Sequence, residues 1–73
     1  MEKRSLSIAG HRTSIALEPE FWAAVEVMAA ASVQPVAALI RSIDERRTTD
    51  NLSSAVRLAV LKYYQNQATS SVV

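Results

Sequence analysis

A short run of alternating side chains near the amino terminus limits what this chain can fold into. From Arg12 to Leu17 the sequence RTSIAL alternates between two faces, as the side chains of a β-strand do. One face carries Thr13, Ile15 and Leu17, and the other carries Arg12, Ser14 and Ala16. Pro19 then opens a helical pattern, and no later segment alternates in this way. An isolated strand leaves its backbone N–H and C=O groups unpaired, so this strand needs a partner.

The ten residues before this strand have two interpretations. Leu6 and Ile8 alternate with serines, but in the opposite phase, and Gly10 is the only glycine of the chain. Because glycine tolerates unusual backbone angles, Gly10 is either a bulge or bend that resets the phase, or part of a flexible arm. We assign residues 1–10 as an N-terminal arm.

Three helical segments follow the strand. Pro19 and Pro35 each suit the start of a helix, where a missing N–H costs nothing. Asn51 is a suitable cap for a third helix, predicted from Leu52 to Tyr64. The apolar stripes of the three helices are Phe21, Val25, Met28 and Ala29; Val36, Leu39, Ile40 and Ile43; and Leu52, Val56, Ala59, Val60 and Tyr63.

The size of the chain favours a dimer. Only 73 residues are present, with no cysteine and one histidine, so neither disulfides nor structural zinc can support so small a core. The most economical partner for the strand is the same strand of a second copy, which two-fold symmetry makes antiparallel. We therefore predict an obligate homodimer. Its predicted core consists of Thr13, Ile15, Leu17, Phe21, Trp22 and Ile40.

The outward face of such a ribbon suggests a role. A two-stranded antiparallel ribbon fits the major groove of DNA, where a few side chains read base edges. Arg12 can hold a guanine by two hydrogen bonds, which gives about 1–3 kcal/mol of discrimination. Ser14 can donate or accept a hydrogen bond, and Ala16 can contact a thymine methyl group. Bulk charge does not indicate DNA binding, because the net charge is +1 and the pI about 8.2.

Several segments together resemble a known family. The strand RTSIAL, the helix EPEFWAAVEVMAA, the break SVQ and the helix PVAALIRSIDERR resemble the ribbon-helix-helix DNA-binding domains, which include the methionine and Arc repressors. With AGHRTSIALEPEFW and the distal NLSSAVRLAVLKYY, the chain resembles a small bacterial subfamily of single-domain proteins. The resemblance spans residues 8–65.

The resemblance implies a mainly α fold with one β-strand, as a homodimer with an intermolecular two-stranded antiparallel ribbon plus an extra C-terminal helix. It also implies a sequence-specific transcriptional regulator, usually a repressor, that reads bases with Arg12, Ser14 and Ala16. In such domains the start of the second helix binds a phosphate, here at Gln34, Pro35 and Val36, as helix N-termini bind anions. Ser32 replaces the glycine that the family usually has in this break. The expected phosphate contacts are Lys3, Arg4, His11, Gln34, Val36 and Arg41.

Other functions receive less support from the sequence. No nucleophile–histidine–acid arrangement, phosphate-binding glycine loop or metal cluster is present, so we expect no catalytic residue, no metal and no cofactor. The alternative to a repressor is an antitoxin-type module that binds a protein partner through its C-terminal helix and tail. We expect a cytoplasmic, nucleoid-associated bacterial protein without a membrane segment. Its predicted parts are the arm (1–10), a ribbon-helix-helix core (11–47), a C-terminal helix packing on the dimer (48–65) and a flexible tail (66–73).

Overall fold

Two strands and three helices make up the fold. The structure, a computed structural model, describes the backbone of residues 1–71 and the side chains of residues 1–67. The elements are β1 (Glu2–Ile8), β2 (His11–Leu17), α1 (Pro19–Ala31), α2 (Val36–Arg46) and α3 (Leu52–Ser71). One face of the β1–β2 pair packs on the helices, and this places every element around one core.

The strand expected to be alone has its partner in the same chain. β1 and β2 pair antiparallel, joined by a two-residue turn at Ala9 and Gly10. Both turn residues have positive φ, 53° and 82°, as a type I′ turn requires, and the twist of this turn matches that of the strands it joins. The prediction of a single strand per chain is therefore wrong, whereas the order of a strand followed by helices agrees with the predicted ribbon-helix-helix fold. The segment assigned as an arm contains a strand and a turn.

The register explains why the two apolar patterns are out of phase. Ile8 lies opposite His11, and Arg4 lies opposite Ile15, so even-numbered residues of β1 share a face with odd-numbered residues of β2. Leu6 and Ile8 therefore face the core together with Ile15. A tight hairpin needs this change of phase, because cross-strand partners point to the same side.

The core is built within one chain. Ile15, Leu17, Trp22 and Ile40 are each at most 2% exposed, while Thr13 and Phe21 are half-buried. The helices of the same chain cover these residues, so the strand needs no second copy to bury its apolar face. The dimer core assigned to these residues remains a prediction.

Strand β1 is attached to α1 by Trp22. The indole Nε1–H donates a hydrogen bond to the Glu2 carbonyl oxygen at 2.8 Å. The Arg4 guanidinium lies over the indole ring, 4.5 Å from its centroid, and donates to Glu26 of α1 at 3.0 Å. Pro19 occupies the first turn of α1, as predicted.

Helix α1 ends in a Schellman motif. The Val33 N–H donates to the Ala30 carbonyl at 3.1 Å, and the Gln34 N–H donates to the Ala29 carbonyl at 3.0 Å. Val33 has a φ of 52°, a conformation in which glycine is strongly preferred and a β-branched residue is strained. The position that calls for glycine is therefore Val33, and not Ser32 as the resemblance suggested.

Replacing Val33 by glycine is expected to stabilise the fold. The Val33 side chain is 92% exposed, so almost no burial is lost, while the strain of the left-handed conformation is relieved. We expect a gain of about 1 kcal/mol in the free energy of unfolding, measured by urea denaturation. Val27→Gly is the matched control, because Val27 is also exposed but lies inside α1. If both variants lose stability, Val33 is not strained.

Helix α3 begins as predicted and continues further than predicted. The Asn51 side-chain oxygen accepts the Ser54 N–H at 3.1 Å, which confirms the cap. The helix passes Tyr64 and reaches Ser71, since no glycine or proline follows Pro35. The helix includes residues 66–71 of the tail predicted for 66–73. Residues 72 and 73 lie outside the described residues. Among residues 1–71, no single helix is long and apolar enough to span a membrane; α1 and α2 would do so only together, across a 98° bend.

Candidate nucleic-acid interface

The hairpin has one face that is directed away from the buried core. This outer face consists of Lys3, Ser5, Ser7, Arg12, Ser14 and Ala16. All six are exposed except Ala16, which is half-buried. It carries two cationic groups and three hydroxyls, and no carboxylate. The opposite face is needed for the core, so these side chains are available for contacts with another molecule.

The three predicted base readers share this face with residues of β1 that the sequence did not single out. Ser7 lies opposite Arg12, and Ser5 lies opposite Ser14 with the two hydroxyl oxygens 3.3 Å apart. The signal for Ser5 and Ser7 was their alternation with apolar residues, which becomes informative once β1 is identified as a strand.

The two cationic groups of the outer face are unpaired. Among the described residues, no ion pair involves Lys3 or Arg12, whereas Arg4, Arg41 and Arg57 each contact a carboxylate. An unpaired cation attracts an anionic partner without first breaking an internal contact. Lys3 and Arg12 are therefore the outer-face groups best suited to contact DNA.

Arg4 and His11 lie elsewhere. Arg4 is on the core-side face of β1, where hydrogen bonds to Glu2 and then to Glu26 raise its pKa. His11 is exposed at the turn end of β2, and the strand pattern places it on the same side as Arg4. The structure therefore separates these two predicted phosphate contacts from the outer face.

The start of α2 offers fewer backbone donors than expected. The Gln34 N–H is used in the Schellman motif, its side-chain amide donates to Ser32, and Pro35 has no N–H. The N–H groups of Val36 and Ala37 lie in the first turn, where an α-helix provides no internal acceptor. Arg41 is exposed one turn later and pairs loosely with Glu45 at 3.5 Å. Any anion contact at this end depends on Val36, Ala37 and Arg41.

The end of β2 is held by α3. The Arg57 guanidinium donates to both carboxylate oxygens of Glu18, at 3.0 and 3.3 Å, and lies 5.8 Å from the Phe21 ring centroid. Hydrogen bonding to the Glu18 backbone N–H, and then to Arg57, holds the pKa of the Glu18 carboxyl below its ordinary value. This contact holds Glu18, the residue that connects β2 to α1, against α3.

One edge of β2 is not paired within the chain. A type I′ turn makes Ile8 and His11 a hydrogen-bonded pair, and such pairs alternate along an antiparallel ladder. The backbone N–H and C=O groups of Arg12, Ser14 and Ala16 therefore point away from β1. Since the sheet of the described residues has only the order β1–β2, these groups form an open edge that can accept another strand.

Comparison with known proteins assigns the family. A family model described as a ribbon-helix-helix domain matches residues 1–64, which includes both strands, the first two helices and most of α3. No curated protein and no solved structure shows significant similarity to the chain. The match covers well over half of the sequence and agrees with the strand-then-helices order of the fold. The chain belongs to the ribbon-helix-helix family.

Proposed function

We propose that this protein is a sequence-specific transcriptional repressor that binds double-stranded DNA as a homodimer. Ribbon-helix-helix proteins generally bind DNA as regulators and form dimers. The observation that carries the proposal for this chain is the outer face of the hairpin, which is exposed, cationic and free of carboxylates. Such a surface is electrostatically suited to the phosphate-lined major groove. A protein with this role works inside the cell, at the chromosome.

The dimer is proposed to form through the open edge of β2. Two copies related by a two-fold axis pair their β2 strands antiparallel, which satisfies the free backbone groups of Arg12, Ser14 and Ala16. The register must pair even-numbered residues with even-numbered ones, because a shift by one would place Ile15 on the outer face. Arg12 and Ser14 of both copies then lie side by side on one surface.

The proposed dimer has a measurable thermal signature. If folding and pairing are coupled, the melting temperature should rise with protein concentration, by about 5 °C for each tenfold increase in a dimer of this size. Differential scanning fluorimetry from 1 to 100 μM, with sedimentation equilibrium at both ends, measures this. A constant melting temperature together with a monomer mass would show that the single-chain core is sufficient and that no dimer forms.

In the proposed complex the outer face and the helix ends divide the DNA contacts. Arg12 holds a guanine edge, Ser14 hydrogen-bonds a base and Ala16 packs on a thymine methyl group. Phosphates are contacted by Lys3 on the hairpin, and by Val36 N–H and the Arg41 side chain at the start of α2.

DNA binding is tested by fluorescence anisotropy. The probes are a duplex from the region upstream of the protein's own gene and a scrambled duplex of equal composition, each titrated between 50 and 300 mM salt. We expect tighter binding to the upstream duplex and a steep loss of affinity with salt, because phosphate contacts release counterions. Binding that is equal on both duplexes would contradict sequence-specific recognition, and a reporter that is not repressed by the protein would contradict repression.

A protein partner is a second candidate function. Leu58, Leu61 and Tyr64 are 40–52% exposed, and their spacing of three residues places them on one side of α3 as an exposed apolar stripe. An antitoxin-type protein would use this surface to hold a toxin. Co-expression with the products of adjacent genes, using wild type and Leu61→Lys, tests it: a partner retained by wild type and lost by the variant would support this function.

A further inference from the structure

In the proposed dimer, β1 lies beside the two-stranded ribbon formed by the two β2 strands. In each chain β1 pairs with the edge of β2 opposite the open one. Pairing two β2 strands across the two-fold axis therefore produces a four-stranded sheet in the order β1–β2–β2–β1. The two β2 strands lie at its centre, and one β1 strand lies on each side.

The width of this sheet determines where β1 meets the DNA. Adjacent strands are about 4.8 Å apart, so the two outer strands are separated by three spacings, roughly 14 Å. The major groove is about 12 Å wide. The central β2 strands, about 5 Å apart, fit into the groove, whereas the outer strands reach the sugar-phosphate backbones on either side.

The side chains of β1 suit a phosphate contact. On the outer face β1 presents Lys3, Ser5 and Ser7, which are a cation and two hydroxyl donors, and it presents no carboxylate there. Its acidic residue, Glu2, belongs to the opposite face and is paired with Arg4. Phosphate oxygens accept from both lysine and serine, and such contacts position a protein without reading sequence.

The position of β1 is also fixed by the fold. Trp22 holds the Glu2 carbonyl, and Arg4 is held between the indole ring and Glu26. Lys3 lies between these two anchored residues and points to the other side of the strand. The amino-terminal strand is thus held against α1 at two consecutive turns of the same face.

We infer that β1 is a second DNA-binding strand, one that rests on the phosphate backbones flanking the major groove while β2 reads the bases between them. This inference rests on the proposed function, and it adds Ser5 and Ser7 to Lys3, so that all three outer-face residues of β1 contact phosphates beside the three readers of β2. Ser5 also positions a reader, since its hydroxyl lies within hydrogen-bonding distance of Ser14.

Cross-linking locates β1 on the DNA. The chain has no cysteine, so Ser7→Cys and Ser14→Cys are single-thiol variants that change one oxygen to sulfur. Each is incubated with a duplex recovered by in vitro selection with wild-type protein, carrying a disulfide-activated tether on either a backbone phosphate flanking the site or a cytosine base in the groove. We expect Ser7→Cys to couple at least tenfold faster to the phosphate tether, and Ser14→Cys to the base tether.

A second measurement concerns charge. Lys3 lies opposite Ala16, so Lys3→Ala removes a charge without placing a new group beside Arg12 or Ser14. Lys62→Ala, which removes a lysine from α3, is the matched control. With one phosphate contact per chain, Lys3→Ala should make the slope of log affinity against log salt shallower by about 2 per dimer on selected and scrambled duplexes alike. Lys62→Ala should leave the slope unchanged.

The outcomes separate this inference from the proposed function. If Ser14→Cys couples to bases but Ser7→Cys couples to neither tether, β1 does not touch DNA and the inference is wrong. If Ser7→Cys prefers the base tether, β1 lies inside the groove, which is also contrary to it. If wild-type protein enriches no duplex from the random library, the proposed function fails and this inference with it.

Discussion

Ile15→Asp is expected to unfold the protein. Ile15 is 2% exposed at the centre of the hairpin's core-side face, so aspartate would remove a large apolar group and place a carboxylate among apolar side chains. Deleting a buried isoleucine costs about 2–5 kcal/mol, and an unpaired buried charge adds to this. Together these costs are comparable to the entire stability of a small domain. Far-UV circular dichroism and urea denaturation should show an unfolded chain, or one with a strongly reduced midpoint.

Ser7→Asp is the control for this prediction. It introduces the same carboxylate on the outer face of the same hairpin, where Ser7 is exposed. This variant should remain folded. A folded Ile15→Asp protein with wild-type stability would mean that the two faces of the hairpin have been assigned the wrong way round.

Arg12→Ala is expected to abolish most of the preference for the target duplex, which is the one from upstream of the protein's own gene, over the scrambled duplex. A bidentate arginine–guanine contact contributes about 1–3 kcal/mol, and a dimer makes two of them. The affinity for the target should therefore fall roughly 30-fold to more than 10,000-fold, while the affinity for a scrambled duplex falls much less. Because Arg12 is exposed and has no ion pair among the described residues, its loss should not change the melting temperature.

Arg46→Ala provides the comparison. It removes the same charge from the last turn of α2, away from the outer face of the hairpin, and should lower binding to both duplexes only slightly. If Arg12→Ala and Arg46→Ala have equal effects on the two duplexes, Arg12 contributes only charge and bases are read by other groups. Arg12→Lys tests whether the bidentate hydrogen bonds are needed, since lysine keeps the positive charge but lacks the planar guanidinium group.

The helices were predictable because their signals are local. Pro19, Pro35 and Asn51 mark helix starts by backbone chemistry alone, and the apolar stripes predict which side chains are buried. The family could be predicted for the same reason, since the strand, the first helix, the break and the second helix follow one another directly in the sequence. The far end of α3 was less predictable, because no residue there terminates a helix.

The hairpin was not predicted, because a change of phase at Gly10 fits a bulge, a bend or a flexible arm as well as it fits a tight turn. Leu6 and Ile8 alternate out of phase with Ile15 and Leu17, which is what a two-residue loop produces between paired strands. The sequence Ala-Gly is not the Asn-Gly typical of such loops, so the loop residues alone do not predict a type I′ turn. The pairing of β1 with β2 places Ser5 and Ser7 on the outer face with Arg12 and Ser14, and it places Arg4 on the core-side face.

Side-chain partners across the fold were beyond the reach of the sequence. The contacts of Arg4 with Glu26 and of Arg57 with Glu18 join residues 22 and 39 positions apart, and nothing local to either residue indicates them. The resemblance likewise placed the family's glycine at Ser32, one residue before the left-handed Val33, because the exact end of α1 depends on which residue turns left-handed.

The indole that holds β1 gives the molecule an internal optical reporter. Trp22 is the only tryptophan, it is 1% exposed, and its N–H donates to the first residue of β1. Release of the amino-terminal strand would break this bond and admit water, so the emission of Trp22 should shift to longer wavelength. Fluorescence of the unlabelled protein therefore follows the docking of β1 on α1, independently of the helical signal in circular dichroism.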